Sequence, residues 1–153
     1  MGSSRSSMVL SLSLVTLAFA LLAGSAQAQV SPGVRAGLSV NPDQVYVGGH
    51  IQTSPLVDRL RFRPNLEVGI GDDVTLVAFN FEFVYPFPSR QAWHLYVGAG
   101  PAVNDYVFEN SSETEAGFNM IIGAEHQKGL FFELKVGAMD SPDLKFGVGY
   151  TFR

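Results

Sequence analysis

The chain has 153 residues, room for one domain, with 46% hydrophobic residues and a formal net charge of −4. The acidic balance argues against nucleic acid as a partner. The lack of any cysteine excludes disulfide stapling, thiolate metal sites and a lipidated N-terminal cysteine.

Residues 1–28 are expected to be a cleaved secretory signal peptide. Arg5 supplies its charge, 8–22 is an apolar run of 15 residues, and Ala26-Gln27-Ala28 is a small-residue cleavage site. That run is short of the roughly 20 residues a membrane-spanning helix needs. Cleavage would leave 29–153 as the mature domain, with nine Lys plus Arg against fourteen Asp plus Glu, a formal charge of −5. Beyond residue 28 there is no run of 18 apolar residues, so a later spanning helix is not expected.

Eight segments with a side-chain period of two follow: 33–40, 44–52, 59–70, 73–85, 92–103, 115–126, 130–138 and 143–152. Period two means strand, with alternate side chains on opposite faces. The first segment places Val34, Ala36, Leu38 and Val40 on one face, and the second Val45, Val47 and Ile51. The third and fourth carry the strongest pattern. Leu60, Phe62, Leu66, Val68 and Ile70 alternate with Arg59, Arg61, Arg63, Asn65 and Glu67. Then Val77, Phe79, Phe81, Phe83 and Tyr85 alternate with Asn80 and Glu82. The last four repeat the theme with Trp93, Leu95 and Val97; Phe118, Met120 and Ile122; Phe132, Leu134 and Val136; Phe146, Val148, Tyr150 and Phe152. Their opposite faces hold Glu125, Glu133, Lys135 and Lys145 among many glycines.

Turn chemistry sets an expected register. Gly71-Asp72 fits a two-residue type II′ hairpin, which would pair Phe62 with Phe81, Leu66 with Val77 and Arg61 with Glu82. Gln127-Lys128-Gly129 fits a three-residue loop ending in a left-handed glycine, pairing Ala124 with Phe132 and Ile122 with Leu134. In each case like faces meet, and a one-residue slip would put charges on the apolar face. The segment 104–114 is expected to be a long acidic loop.

A polar, glycine-padded face suits a crowded interior, and the uninterrupted apolar face suits hydrocarbon. About 10 residues at ~3.3 Å each, tilted near 40°, cover about 25 Å of membrane normal. The expected fold is therefore all-β: an eight-stranded antiparallel transmembrane β-barrel with a filled polar interior and no open channel.

Arg59, Arg61, Arg63, Glu67, Glu82, Glu125, Glu133, Lys135 and Lys145 are expected to form a lumen ion-pair network, with Arg61–Glu82 its strongest pair and Glu115 a further candidate. Closed low-dielectric interiors demand such partners. Mutual neutralisation is preferred to an ion or proton path. Phe79, Phe81, Phe83, Tyr85, Trp93, Phe132, Tyr150 and Phe152 are expected to face lipid or form the interfacial girdle. His50, His94 and His126 show no metal-ligand spacing and no serine–acid set, and His50 is placed opposite Arg35. No cofactor, no metal and no catalytic residue is expected, and the protein is not expected to be an enzyme.

The signal peptide, the eight segments, the string Leu95-Tyr96-Val97-Gly98-Ala99-Gly100-Pro101 and the ending Phe146-Gly147-Val148-Gly149-Tyr150-Thr151-Phe152 give a chain that resembles the small eight-stranded outer-membrane barrels of the OmpA, OmpX and Ail type. The resemblance implies residence in the outer membrane of a Gram-negative-type bacterium, lipid as surroundings, and insertion by the outer-membrane assembly machinery, which reads an aromatic C-terminal strand. Here Arg153 follows Phe152, a departure from the family's aromatic ending. It also implies that 41–44, 71–72, 104–114 and 139–142 face outward. Those are short apart from 104–114, which argues against an adhesion-like role. The expected function is structural or surface-related, with no surface partner identified. The alternative is a soluble periplasmic barrel of lipocalin type, which would turn Phe79, Phe81, Leu95 and Phe132 inward around an apolar ligand.

Overall fold

A computed structural model describes residues 29–153. The expected signal peptide, 1–28, lies outside the described residues. The strands are β1 (Val30–Val40), β2 (Gln44–Thr53), β3 (Arg61–Ile70), β4 (Thr75–Pro86), β5 (Trp93–Val107), β6 (Ser112–His126), β7 (Leu130–Met139) and β8 (Leu144–Thr151). Each pairs antiparallel with the next, and β1 pairs with β8, so the sheet closes into a barrel without an edge.

The period-two pattern becomes an inside and an outside. β8 alternates without a break: Lys145, Gly147, Gly149 and Thr151 are buried, while Leu144, Phe146, Val148 and Tyr150 are exposed. The same parity exposes Val34, Leu38, Val45, Leu95, Met120 and Ile122 on the outer wall and buries Arg35, Arg63, Glu67, Glu82, Glu133 and Lys135 within it. The barrel is thus inverted relative to a water-soluble one. The lipocalin-type arrangement is not favoured by this parity, since Leu95 and Phe132 stand on the outer wall.

Two connections differ from the expected ones. β3 and β4 pair Phe62 with Phe83, Leu66 with Phe79, and Arg63 with Glu82, two residues away from the register a Gly71-Asp72 turn would impose. The connection spans four residues, 71–74, with the Gly71 N–H donating to the Val74 carbonyl at 3.1 Å. Gly71 is not in a left-handed conformation; a Cβ there would meet the Asp43 carbonyl oxygen at 2.6 Å. The glycine answers a close approach rather than a turn type. A two-residue shift keeps every side chain on its own face, so face matching alone does not detect it.

The segment 104–114 is not a loop. β5 and β6 continue as a paired ribbon through Asn104–Glu115 and Val107–Ser112, leaving 108–111 as the tip. The 127–129 connection follows expectation: Ala124 pairs with Phe132, Ile122 with Leu134, and Gly129 takes a φ of 113°.

The two ends differ in charge. The end formed by the connections after β1, β3, β5 and β7 carries Asp43, Asp72, Asp73, Glu109, Asp140 and Asp143, and its connecting residues include no Lys or Arg. On the ribbon at this end, Asp140 holds the Glu115 carboxyl above its usual range through a shared hydrogen bond and like charge. The opposite end carries Arg59, Arg90, Lys128 and Arg153, with Asp58 among them.

Candidate functional site

The centre of the barrel is a charge cluster contributed by five strands. Arg35 comes from β1, Arg63 and Glu67 from β3, Glu82 from β4, Glu133 and Lys135 from β7, and Lys145 from β8. Each stands at an inward parity position, which is why no local turn or cap is needed to aim it. All seven side chains are essentially sealed from solvent, the most accessible being Lys145 at 4%.

Three carboxylates organise it. Glu67 accepts from Lys135 at 2.8 Å and Arg35 at 3.3 Å on one oxygen, and from Lys145 at 2.5 Å on the other. Glu82 accepts from Lys135 at 2.5 Å and lies 3.7 Å from Arg35. Glu133 accepts from Arg35 at 2.8 Å, from Arg63 at 2.7 Å and from the Tyr96 hydroxyl at 2.7 Å. Lys135 and Lys145 are direct neighbours across β7 and β8, a destabilising juxtaposition by itself. The Glu67 carboxylate relieves it by bonding both ammonium groups.

Four cations face three carboxylates, and aromatic rings meet the excess. Arg63 stacks 5.0 Å from the Tyr96 centroid and 5.1 Å from that of Phe131. Arg35 lies 5.4 Å from the same Phe131 ring, and Lys145 lies 5.0 Å from Tyr46. Ring quadrupoles attract cations most strongly where water is absent. The glycines of the wall make room for these rings: a Cβ on Gly147 would strike the Tyr46 hydroxyl, on Gly123 the Tyr96 ring and on Gly149 the Phe131 ring. In the sequence, the glycine padding points only to a crowded polar interior. The rings Tyr46, Tyr96 and Phe131 are the closer reason, and they were missed. Their signal was an aromatic at polar-face parity beside a glycine on the neighbouring strand.

Neutral polar layers close both sides of the cluster. Asn119 donates to Asn80, and Asn80 to Asn65, each at 2.8 Å. Toward the acidic end, Asn104 donates to the Asp140 carbonyl at 3.0 Å and Gln44 to the Val74 carbonyl at 2.8 Å. Toward the other end, His50 Nε2 and the Thr151 hydroxyl are 2.9 Å apart.

Several expected members fall elsewhere. Arg61 faces Val84 across the strands and bonds Glu125 at 3.2 Å, not Glu82. Glu125 also meets Arg153 at 3.3 Å, forming a small half-buried cluster at the barrel end, apart from the central one. Arg59 lies exposed beyond the start of β3, outside the lumen altogether, because the strand begins at Arg61. Glu115 lies on the protruding ribbon. His50 opposes Gly33, while Arg35 opposes Gly48. Each displacement in β3 follows from its register and its start. Arg153 still meets Glu125 when Arg61 is removed, so Arg61→Ala is expected to cost only about 1 kcal/mol, measured as a small fall in the urea midpoint in lipid vesicles.

On the outer wall, Phe83, Trp93, Phe132, Tyr150 and Phe152 are exposed, and Phe79, Phe81 and Tyr85 are half-buried between neighbours at outward parity. Trp93 stacks with Phe132 at 6.0 Å, Tyr150 meets Phe152 edge-on at 5.3 Å, and Phe62 lies 5.0 Å from Phe83. Tyr85 donates to Asp58 at 2.7 Å, tying the β2–β3 connection to β4.

Two solved structures share this architecture. The N-terminal β-barrel domain of Pseudomonas aeruginosa OprF matches with a TM-score of 0.56 at 18% identity, over 82% of this chain and 100% of that one. Neisserial surface protein A (NspA) matches with a TM-score of 0.62 at 12% identity, over 82% of this chain and 98% of that one. The fold is therefore that of the small outer-membrane barrels. No family model and no curated protein sequence matches the chain.

Proposed function

We propose that the protein is an integral outer-membrane β-barrel with no open pore and no enzymatic activity, serving envelope structure or a modest surface contact. The observation that carries this reading is the inversion of the wall. Leu95, Ile70, Val45 and Val47 are each about three-fifths exposed on the outside while seven ionised side chains are sealed inside. Water would not tolerate that outer surface on a monomer, and hydrocarbon would. The stacked polar layers support a plugged interior, as in other eight-stranded barrels. The ribbon tip at 108–111 is the part of the acidic end that projects furthest along a strand pair, so a surface contact is assigned to it. Lipid is the surrounding partner. The exposed aromatics Tyr150, on the closing strand, and Phe152, just past its end, suit recognition by the outer-membrane assembly machinery.

Electrophoresis tests the reading directly. Membrane-extracted protein is expected to run as a compact species in cold SDS and to shift on boiling, because a closed barrel resists detergent until heated. A water-soluble monomer with no heat-dependent shift would refute it.

A further inference from the structure

We propose that a groove between the β2–β3 and β4–β5 connections binds the phosphate of an anionic membrane-lipid headgroup through Arg59 and Arg90. The inference rests on the membrane-embedded reading above. Arg59, Pro88, Ser89 and Arg90 line one groove at the basic end of the barrel, and all four are exposed. The other two arginines of this end, Arg61 and Arg153, share Glu125. Arg59 and Arg90 have no such carboxylate within 4 Å among the described residues.

Both arginines sit on fixed connections. The Arg59 turn is closed by Leu56 N–H to the Leu60 carbonyl at 2.8 Å and Leu60 N–H to the Val57 carbonyl at 2.9 Å, and Asp58 is held by the Tyr85 hydroxyl. That bond engages one oxygen of the acid nearest Arg59 in sequence, and no Asp58–Arg59 ion pair forms within 4 Å. The Arg90 connection is anchored by Phe87 N–H to the Leu95 carbonyl at 2.8 Å. Ser89 Oγ accepts the Gln91 N–H at 3.0 Å, so its own proton remains available to a ligand oxygen. Two guanidinium forks and a hydroxyl on one groove make the donor set for a phosphodiester, which guanidinium recognises bidentately.

The outer wall beside the groove decides the source of that phosphate. Phe62 and Phe83 touch at 5.0 Å on β3 and β4, and Tyr85 of β4 meets Phe87, at the start of the connection that lines the groove, at 5.9 Å, an outward aromatic track leading to the groove. Phe83 and Phe87 are 42% and 44% exposed. Acyl chains hanging from a phosphate in the groove would lie on that track, where interfacial aromatics belong. Free phosphate would gain nothing from it. The acidic opposite end offers no comparable cationic groove on its connections.

The test is native mass spectrometry of membrane-extracted protein in maltoside micelles with added phosphatidylglycerol, phosphatidylcholine or inorganic phosphate. Wild type is expected to retain one phosphatidylglycerol, and R59Q/R90Q about tenfold less at equal lipid. Phosphatidylcholine, whose headgroup is neutral overall, is expected to be held more weakly. Equal retention of phosphatidylglycerol by the double variant and wild type overturns the site. Displacement of the lipid by equimolar inorganic phosphate overturns the lipid as its source. The cold-SDS mobility shift, read on the same samples, separates the two levels: its presence with equal lipid retention sinks only the groove, and its loss in wild type sinks the barrel reading itself.

Discussion

Glu67→Ala is expected to lower the stability of the folded barrel by about 3–5 kcal/mol, seen as a large fall in the urea midpoint in lipid vesicles. Glu67 is the one carboxylate that bonds both Lys135 and Lys145. Its removal leaves two ammonium groups on directly paired residues without the anion between them. They are buried, so water cannot take the anion's place. Glu82 still holds Lys135, which leaves Lys145 as the orphan. Removing that orphan should therefore repair the damage in part. E67A/K145M is expected to be more stable than Glu67→Ala alone, because deleting both partners of a buried pair costs far less than deleting one. Equal midpoints for Glu67→Ala and wild type would mean the lumen is wet enough to screen these charges. The same change at Arg61 is expected to have little effect, so the pair of experiments separates the central cluster from the barrel end.

Phe79→Arg is expected to cost about 2–4 kcal/mol, the depth-dependent penalty for a guanidinium on the lipid face near the midplane of a barrel. Phe79 lies midway along β4, between Leu66 on β3 and Val103 on β5. All three point outward, so an arginine there has apolar neighbours on both sides. Phe79→Leu should be nearly neutral, since it keeps the side chain apolar. Unfolding in vesicles of matched lipid gives both values. Wild-type stability for Phe79→Arg, with Phe79→Leu destabilised instead, would assign that face to a soluble core.

The face of each side chain was readable because the strand period is two and the backbone enforces it. Lys145, Glu133 and Glu67 were placed inside, and Phe132, Tyr150 and Phe152 outside, from alternation alone, and the structure places them there. Gly129 was readable for a related reason: a three-residue hairpin leaves one position that only a left-handed residue fills, and its φ of 113° shows it. Gly71 misled, since glycine also serves close approach, and a Cβ there would press on the Asp43 carbonyl. Arg59 misled by the same alternation that served elsewhere. Its parity is right for the lumen, but β3 begins two residues later, and parity says nothing about where a strand starts.

Alternation thus fixed for this protein which side chains stand on the outer wall and which are shut inside, because successive side chains on an extended backbone have no other choice. Closure decided who meets whom. Glu67 on β3 reaches Lys145 on β8, and Arg63 reaches Glu133 on β7, across a lumen rather than along a ladder. Tyr46, Tyr96 and Phe131 enter the same space as the excess cation. Those contacts depend on register, which a two-residue shift changes without moving any side chain to the other face, and on the curvature that brings distant strands within reach.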